Sequence, residues 1–352
     1  MTKKSGFFVK ITIFVLLMAV LIQVFSACGI NVKREGYEEV SFFAMDTYMV
    51  LRAYRGEKTA EETRSALAMA RDGILELESL LSVTDEGSEI AALNRGEMLE
   101  NASSHTVRLL KMAAELYERT GGAYDVTVYP LVLAWGFTTE AGPSVPEPAE
   151  IAAALEQVDA SRVSVNENSD GTFSVDAGGA KLDLGSIAKG YAGQVASDIL
   201  REKGFDSALL VLGGNVQTLG KKPDGSGFVI GIADPKAPDR TLTTVSTDSL
   251  ENAFGAGAGG YAIVTSGTYQ RNFTVGGKLY HHIMDVRTGY PADNGLLSVT
   301  VICPDGAMAD GLSTSLFLLG YEGAMEYYHT YGGFEAVFAT DDGEVLRTDG
   351  IG

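Results

Sequence analysis

Cysteine is nearly absent from this chain: its 352 residues include two, at positions 28 and 303. A disulfide scaffold and a thiolate zinc centre both need more cysteine at defined spacing, so both are excluded. Basic charge is also scarce, with 27 Lys and Arg against 46 Asp and Glu and a formal net charge of −19. No basic run follows residue 34. The footprint that a phosphate backbone requires is missing, and nucleic acid is not an expected partner. A local positive pocket for a phosphorylated small molecule stays open. Glycine is plentiful, at 42 residues, but without a three-residue period, which excludes collagen. What is present suits a folded body: 45% hydrophobic and 21% charged residues, in a length that permits one large domain or two ordinary ones.

The first thirty residues stand apart from that body. Lys3, Lys4 and Lys10 precede the uncharged run Ile11 to Val24, the pattern of a secretory signal. Phe25-Ser26-Ala27-Cys28-Gly29 resembles the bacterial lipoprotein junction, in which the cysteine is lipidated and becomes the new N-terminus; Phe25 stands where Leu is preferred. An uncleaved anchor helix and a plain cleaved signal are the alternatives. The expectation is a signal over 1–27, a tether over 28–39 and a catalytic body over 40–352, lipid-anchored through Cys28 on the outer face of a membrane. Cleavage removes three lysines and no acid, taking the formal charge from −19 to −22.

Residues 40–54 read as a strand and turn through Phe43-Ala44-Met45-Asp46-Thr47. Leu67, Ala70, Ile74, Leu77 and Leu81 recur at steps of three and four and predict a helix with one buried face. A second helix is expected from Ser103 or Ser104, facing inward through Val107, Leu110, Ala114 and Tyr117 and stopped by Gly121-Gly122. Pro143, Pro146 and Pro148 mark a rigid loop leading into a short helix over 148–158. From 162 onward the pattern changes to short strands: 172–175, 208–212, 228–232, 261–265, 271–275 and 297–302, then two near 334–348. Helices are expected at 186–202, 307–319 and 321–329. Strands and helices mix without regular alternation, so the fold class is α+β, a single interwoven body with antiparallel sheet and packed helices.

Four segments could carry chemistry. In Asp183-Leu184-Gly185-Ser186-Ile187-Ala188-Lys189, a strand-like stretch turns through glycine into a helix. Its free amides and Lys189 could meet a diphosphate, or Lys189 could be a solvated surface residue. Leu212-Gly213-Gly214-Asn215 could admit a ligand to the backbone or be an ordinary turn, and it does not match the Rossmann fingerprint. Tyr280-His281-His282-Ile283-Met284-Asp285-Val286-Arg287 gathers two of the four histidines, an acid and an arginine. Adjacent histidines on a strand point to opposite faces, so at most one faces a site, and the usual zinc sets are absent. Asp310 and Thr314 lie one helical turn apart and could share a hard cation such as Mg²⁺; Asp310 could instead cap its helix and Thr314 bond back to it.

Taken in order, these segments resemble the ApbE family of FAD:protein FMN transferases. The likeness runs from about Ala44 to Gly320. It takes in Ser88-Glu89-Ile90 with Leu93-Asn94, Tyr124-Asp125-Val126-Thr127 with Trp135-Gly136-Phe137, Asp183 to Ala192, and Gly213-Gly214-Asn215. Thr265-Ser266-Gly267, His282 to Pro291 and Asp310 to Thr314 complete it. The resemblance implies Mg²⁺-dependent transfer of FMN from FAD to a Thr or Ser hydroxyl of an acceptor protein, with release of AMP. It also implies an acceptor segment like D-x-x-[ST]-G-A-T on a membrane or secreted redox subunit. Hydrolysis of FAD to FMN and AMP, and flavin binding without catalysis, are the alternatives. By resemblance, Asp310, Thr314 and the main chain near Ser186 hold Mg²⁺, Lys189 holds phosphate, and His282 positions or deprotonates the acceptor hydroxyl. Asp285 and Arg287 orient the loop and phosphate. Met45, Ala123, Tyr124 and Asp125 line the flavin slot, with Asp183 on the adenosine or ribose side. Trp135 is expected to be structural. The chain departs from the family pattern at Asp46, Val286, Gly311 and Gln194, where Gly, Pro, Ala and Asp are commoner.

Overall fold

The computed structural model describes residues 36–255 and 259–351. The expected signal and the lipidation site at Cys28 lie outside the described residues. The body begins with a strand at Tyr37, three residues inside the stretch read as tether.

The central element is an eight-stranded sheet. Its strands are β1 (Tyr37–Ala44), β2 (Thr47–Tyr54), β5 (Ala208–Leu212), β6 (Asn215–Leu219), β9 (Ala262–Gly267), β14 (Leu296–Cys303), β15 (Glu335–Thr340) and β16 (Val345–Arg347). They lie in that spatial order, each antiparallel to the next. Four two-stranded ribbons branch from this meander: β3 (Ser164–Glu167) with β4 (Phe173–Asp176), β7 (Val229–Asp234) with β8 (Ala237–Ser246), β10 (Asn272–Val275) with β11 (Lys278–His281), and β12 (Met284–Asp285) with β13 (Tyr290–Pro291). The helices are α1 (Ala60–Leu81), α2 (Glu89–Asn94), α3 (Ser104–Arg119), α4 (Tyr129–Ala134), α5 (Pro148–Leu155), α6 (Ala188–Glu202), α7 (Thr247–Phe254) and α8 (Gly306–Tyr331). None of the described helices is long and apolar enough to cross a membrane.

Side-chain alternation distributes the sheet between two cores. Ala262, Val264, Val299 and Val301 join the main core with buried residues of α1, α3, α6 and α8. Ile263 and Ile302, pointing the other way, join Ile230, Ile232, Val245 and Leu250 of the β7–β8 ribbon and α7. The central strands are therefore covered on both faces, while the edge strands β1 and β16 stay partly exposed.

The first helix buries the expected residues, and Thr59 with Glu62 closes a capping box at its start. The second differs from expectation. It starts after Ser103, whose side chain caps it, and it buries Val107 and Leu110 as expected, but Leu109, Ala113 and Leu116 complete the face, while Ala114 is exposed and Tyr117 half-buried. The inward face is rotated because α3 packs on α8, where a Cβ on Gly311 would lie only 2.4 Å from Leu116 Cδ1. The helix expected at 186–202 starts two residues later, at Ala188, and the helix expected at 148–158 ends at Leu155. Residues 306–331 break at Gly320 (φ 72°, ψ 174°), so the two expected helices are two segments on either side of that residue.

The β7–β8 ribbon's second strand, α7 and the strand Asn215–Leu219 are additions to the sequence reading. One packing contact matters most for the site. Helices α6 and α8 touch at Gly190 and Gly306, where a Cβ on Gly190 would lie 2.0 Å from the Gly306 carbonyl oxygen. The neighbour is backbone and cannot rotate away.

Candidate active site

The Asp183–Lys189 segment is fixed from three sides. Asn94, at the end of α2, brackets Leu182: its Nδ2 donates to the Leu182 carbonyl (2.9 Å) and its Oδ1 accepts from the Leu182 amide (2.6 Å). The Asp183 amide donates to the Val126 carbonyl at 2.8 Å. The Asp183 carboxylate then turns the chain by accepting from the Gly185 amide at 2.7 Å. Helix α6 begins at Ala188 without a side-chain cap of its own. Its Gly190 amide donates instead to Asp310 Oδ2 of α8, at 2.7 Å across the glycine contact. The anion at this helix start is thus a carboxylate of the protein, and Asp310 caps a neighbouring helix rather than its own. Lys189 is half-buried, and its Nζ donates to the Gly185 carbonyl at 3.0 Å.

Besides Asp310, the proposed oxygen donors each meet a neighbouring hydroxyl. Thr314, one turn on, holds its Oγ1 2.9 Å from Ser266 Oγ, which also meets Ser313 Oγ at 2.7 Å. Ser186 Oγ lies 2.9 Å from the Tyr124 hydroxyl. Gly213-Gly214 is a two-residue turn joining β5 and β6, and Asn215, which follows it at the start of β6, is buried. Burial pushes the Asp310 carboxyl above its usual range, with Lys189 and the hydrogen bonds pulling the other way. Asp183 and Asp125 are raised for the same first reason. The Tyr124 hydroxyl is pushed up by burial and by Asp310, Asp183 and Asp125.

This donor set fits Mg²⁺. A buried carboxylate held above its normal range is what a bound cation relieves, and hydroxyl and carbonyl oxygens suit a hard ion that keeps waters and takes substrate phosphate. Among the described residues no group of three His, Cys, Asp or Glu side chains is placed to hold a metal.

Opposite stands the histidine loop. His281 is buried in the core, its Nε2 2.9 Å from the Ala292 carbonyl and its ring edge-on to Phe317. His282 lies just past the end of β11, in a bend, and is half-buried. Its amide donates to the Arg271 carbonyl at 3.1 Å, and its Nδ1 lies 3.3 Å from the same oxygen. A carbonyl only accepts, so Nδ1 carries the hydrogen and Nε2 keeps its lone pair. Burial, then Lys189, Arg271 and His281, push the imidazole pKa down to about 3. His282 is therefore neutral at physiological pH. Asp285 grips Arg287 with both oxygens (2.8 and 2.9 Å), and the guanidinium also reaches the Leu318 carbonyl at 3.3 Å, tying the loop to α8. Trp135 is fully buried, and its Nε1 donates to the Gly289 carbonyl at 2.9 Å, so it anchors the same loop from below.

The residues expected at the flavin lie on the β1–β2 turn and on the loop that follows α3. Met45 and Asp46 make the β1–β2 turn, both left-handed (φ 48° and 58°), and the Met45 amide donates to Glu78 Oε1 at 2.6 Å. Ala123 and Tyr124 are buried and present little open surface. Asp125 accepts from the amide and hydroxyl of Thr127, both at 2.7 Å, and caps the short helical turn there. Beyond Asn94 a cleft of about 250 Å³ is lined by Thr84, Arg95, Tyr129 and Lys181 among others.

A family model described as the ApbE family matches residues 45–338. The chain belongs to the ApbE family. It is 35% identical over 273 residues to an FAD:protein FMN transferase of Klebsiella pneumoniae, covering 76% of this chain and 80% of the relative. A protein of the same description from Treponema pallidum is 30% identical over 341 residues, covering 92% and 90%. The solved ApbE protein of Thermotoga maritima superposes with a TM-score of 0.76 at 29% identity, covering 89% of this chain and 97% of its own. The mixed fold of helices and antiparallel sheet is the ApbE fold.

Three residues near this ApbE site had no role in the sequence reading. Asn94 and Asn215 stand inside the segments that carry the family likeness, and that was their only signal. Arg271 follows the Thr265-Ser266-Gly267 segment, and nothing in its spacing marks it.

Proposed function

We propose that this protein transfers the FMN half of FAD onto a Thr or Ser hydroxyl of an acceptor protein and releases AMP, with Mg²⁺ held by Asp310, Thr314 and the main chain near Ser186. The observation that carries the reading is the buried Asp310 carboxylate at the start of α6, beside Lys189, together with the histidine loop in which His282 Nδ1 is turned to the Arg271 carbonyl. The naming of relatives as FAD:protein FMN transferases supports flavin transfer. When bound, Mg²⁺ supplies charge neutralisation on the diphosphate oxygens.

His282 Nε2 takes the acceptor hydroxyl proton. The freed oxygen forms a bond to the FMN phosphorus, and the bond from that phosphorus to the bridging oxygen breaks, leaving its electron pair on AMP. Lys189 faces the charge that develops on the moving phosphoryl oxygens. Asp285, Arg287 and Trp135 hold the loop that presents His282. Asn94 fixes the segment that carries Asp183, Ser186 and Lys189.

The Ala27-Cys28-Gly29 junction supports a lipid anchor on the outer face of a membrane. The acceptor, bearing a D-x-x-[ST]-G-A-T-like segment, then belongs to a membrane or secreted redox subunit.

Incubation with FAD, Mg²⁺ and a peptide carrying such a segment is expected to give one peptide-bound FMN for each AMP released. AMP accompanied only by free FMN would assign a diphosphatase, and bound FAD without AMP a flavin-binding protein. Lys189→Ala is expected to lower turnover at saturating FAD by about tenfold to a hundredfold while changing FAD affinity less. Unchanged turnover would return Lys189 to the surface.

A further inference from the structure

Asp46 and Arg271 form an ion pair that the mechanism above does not use. Arg271 Nη2 donates to Asp46 Oδ2 at 2.9 Å, across 225 positions of sequence. Asp46 sits in the left-handed region at φ 58°, where a residue with a Cβ is uncommon, on the turn that also carries Met45. Arg271 is the residue whose carbonyl receives both His282 bonds. Its guanidinium is therefore carried between the Met45 turn and the base.

Charge in the cleft gives this position its meaning. Asp125, Asp183 and Asp310 bring three carboxylates, and a diphosphate adds further negative charge. Arg287 is committed to Asp285. Lys189 and Arg271 are the cations whose charge reaches both Asp183 and His282. The Asp46–Arg271 pair is exposed, with 79% of the Asp46 side chain and 46% of the Arg271 side chain open to solvent. Such pairs contribute little to stability. A guanidinium fork matches two phosphate oxygens, and a charge-assisted bond of that kind in a partly enclosed cleft is stronger than an exposed ion pair.

We infer that Arg271 binds the FAD diphosphate and that Asp46 competes with the substrate for its guanidinium, so that Asp46 sets the affinity for the dinucleotide. The inference rests on the reading that FAD is the substrate. It makes the two members of one ion pair act in opposite directions. Removing the arginine weakens FAD, and removing the acid tightens it. A clasp that merely held the Met45 turn to the histidine loop would give the same sign for both.

The test is flavin binding by the full-length protein and its variants, read from fluorescence on rapid mixing with Mg²⁺ and no acceptor. Riboflavin, which has no phosphate, serves as the control. Arg271→Gln is expected to weaken FAD about tenfold and leave riboflavin within about twofold. Arg271→Lys should recover part of the loss, and Asp46→Asn should tighten FAD about threefold. Equal weakening of FAD and riboflavin in both Arg271→Gln and Asp46→Asn would overturn the inference, as would wild-type FAD affinity in Arg271→Gln. In either case, a wild type that flavinylates the acceptor peptide leaves the proposed function standing. A wild type that binds no FAD would overturn both.

Discussion

Asp310→Asn is expected to give a folded protein whose FMN transfer falls by about a hundredfold to a thousandfold. Asparagine keeps the size of the side chain, and its oxygen can still accept from the Gly190 amide that Asp310 holds at 2.7 Å. The charge is what disappears. Burial holds this carboxyl above its usual range, so its ionised form is costly in the protein without metal. The melting temperature of Asp310→Asn without Mg²⁺ should therefore equal or exceed that of the wild type. Adding Mg²⁺ should reverse the order. A ligand at a hundred times its Kd stabilises the native state by about 2.7 kcal/mol, and only the wild type should show that rise. Thr314→Val, which removes a neutral oxygen, should shift the Mg²⁺ response the same way by less. A Mg²⁺-dependent melting shift that survives intact in Asp310→Asn would remove the metal from this site.

His282→Asn is expected to lose about 10²- to 10⁴-fold in turnover while binding FAD close to normally. The wild-type pH profile offers a second check. An ordinary histidine base would make kcat/KM climb through pH 6.5. With its pKa pushed down to about 3, His282 is already unprotonated there, so kcat/KM should show no inflection near 6.5 from this group. The same shift acts on folding. Between pH 6.5 and 3 the unfolded histidine binds a proton that the folded one does not, so stability is lost as pH falls through that window. His282→Asn should flatten this part of the stability curve. A wild-type inflection near 6.5 that vanishes in His282→Asn would show that the imidazole is exposed and titrates normally.

Much of this architecture was legible in the sequence because the local signals agree with the packing. Leu67 to Leu81 has one face and one core to fill, and the helix forms as its spacing says. The separation of Val264 from Ile263 into different cores follows from strand geometry alone. Other features depend on contacts between distant segments. The rotation of α3 toward Leu109, Ala113 and Leu116 is set by the space left at Gly311 of α8, and no helical period within α3 contains that information. Asp310 presented two local options, capping its own helix or holding a metal. Its bond to Gly190 of α6 is neither, because the glycine contact between the helices creates it. The strand from Asn215 to Leu219 was hidden behind Gly213-Gly214, which reads as the end of a strand although it is the tip of a hairpin. Arg271 was hidden most completely, since its partners Asp46 and His282 are brought to it by two different turns.

The most direct test of the account is the mass of the acceptor. After incubation with FAD and Mg²⁺, an acceptor peptide should gain the mass of FMN less one water. Fragmentation should place that addition on a single Thr or Ser, with one AMP released for each modified chain. Replacing that hydroxyl residue by alanine should abolish the addition, and His282→Asn should slow it with FAD still bound. An acceptor whose mass stays unchanged while FAD is consumed to FMN and AMP would contradict the transferase reading and make water the nucleophile.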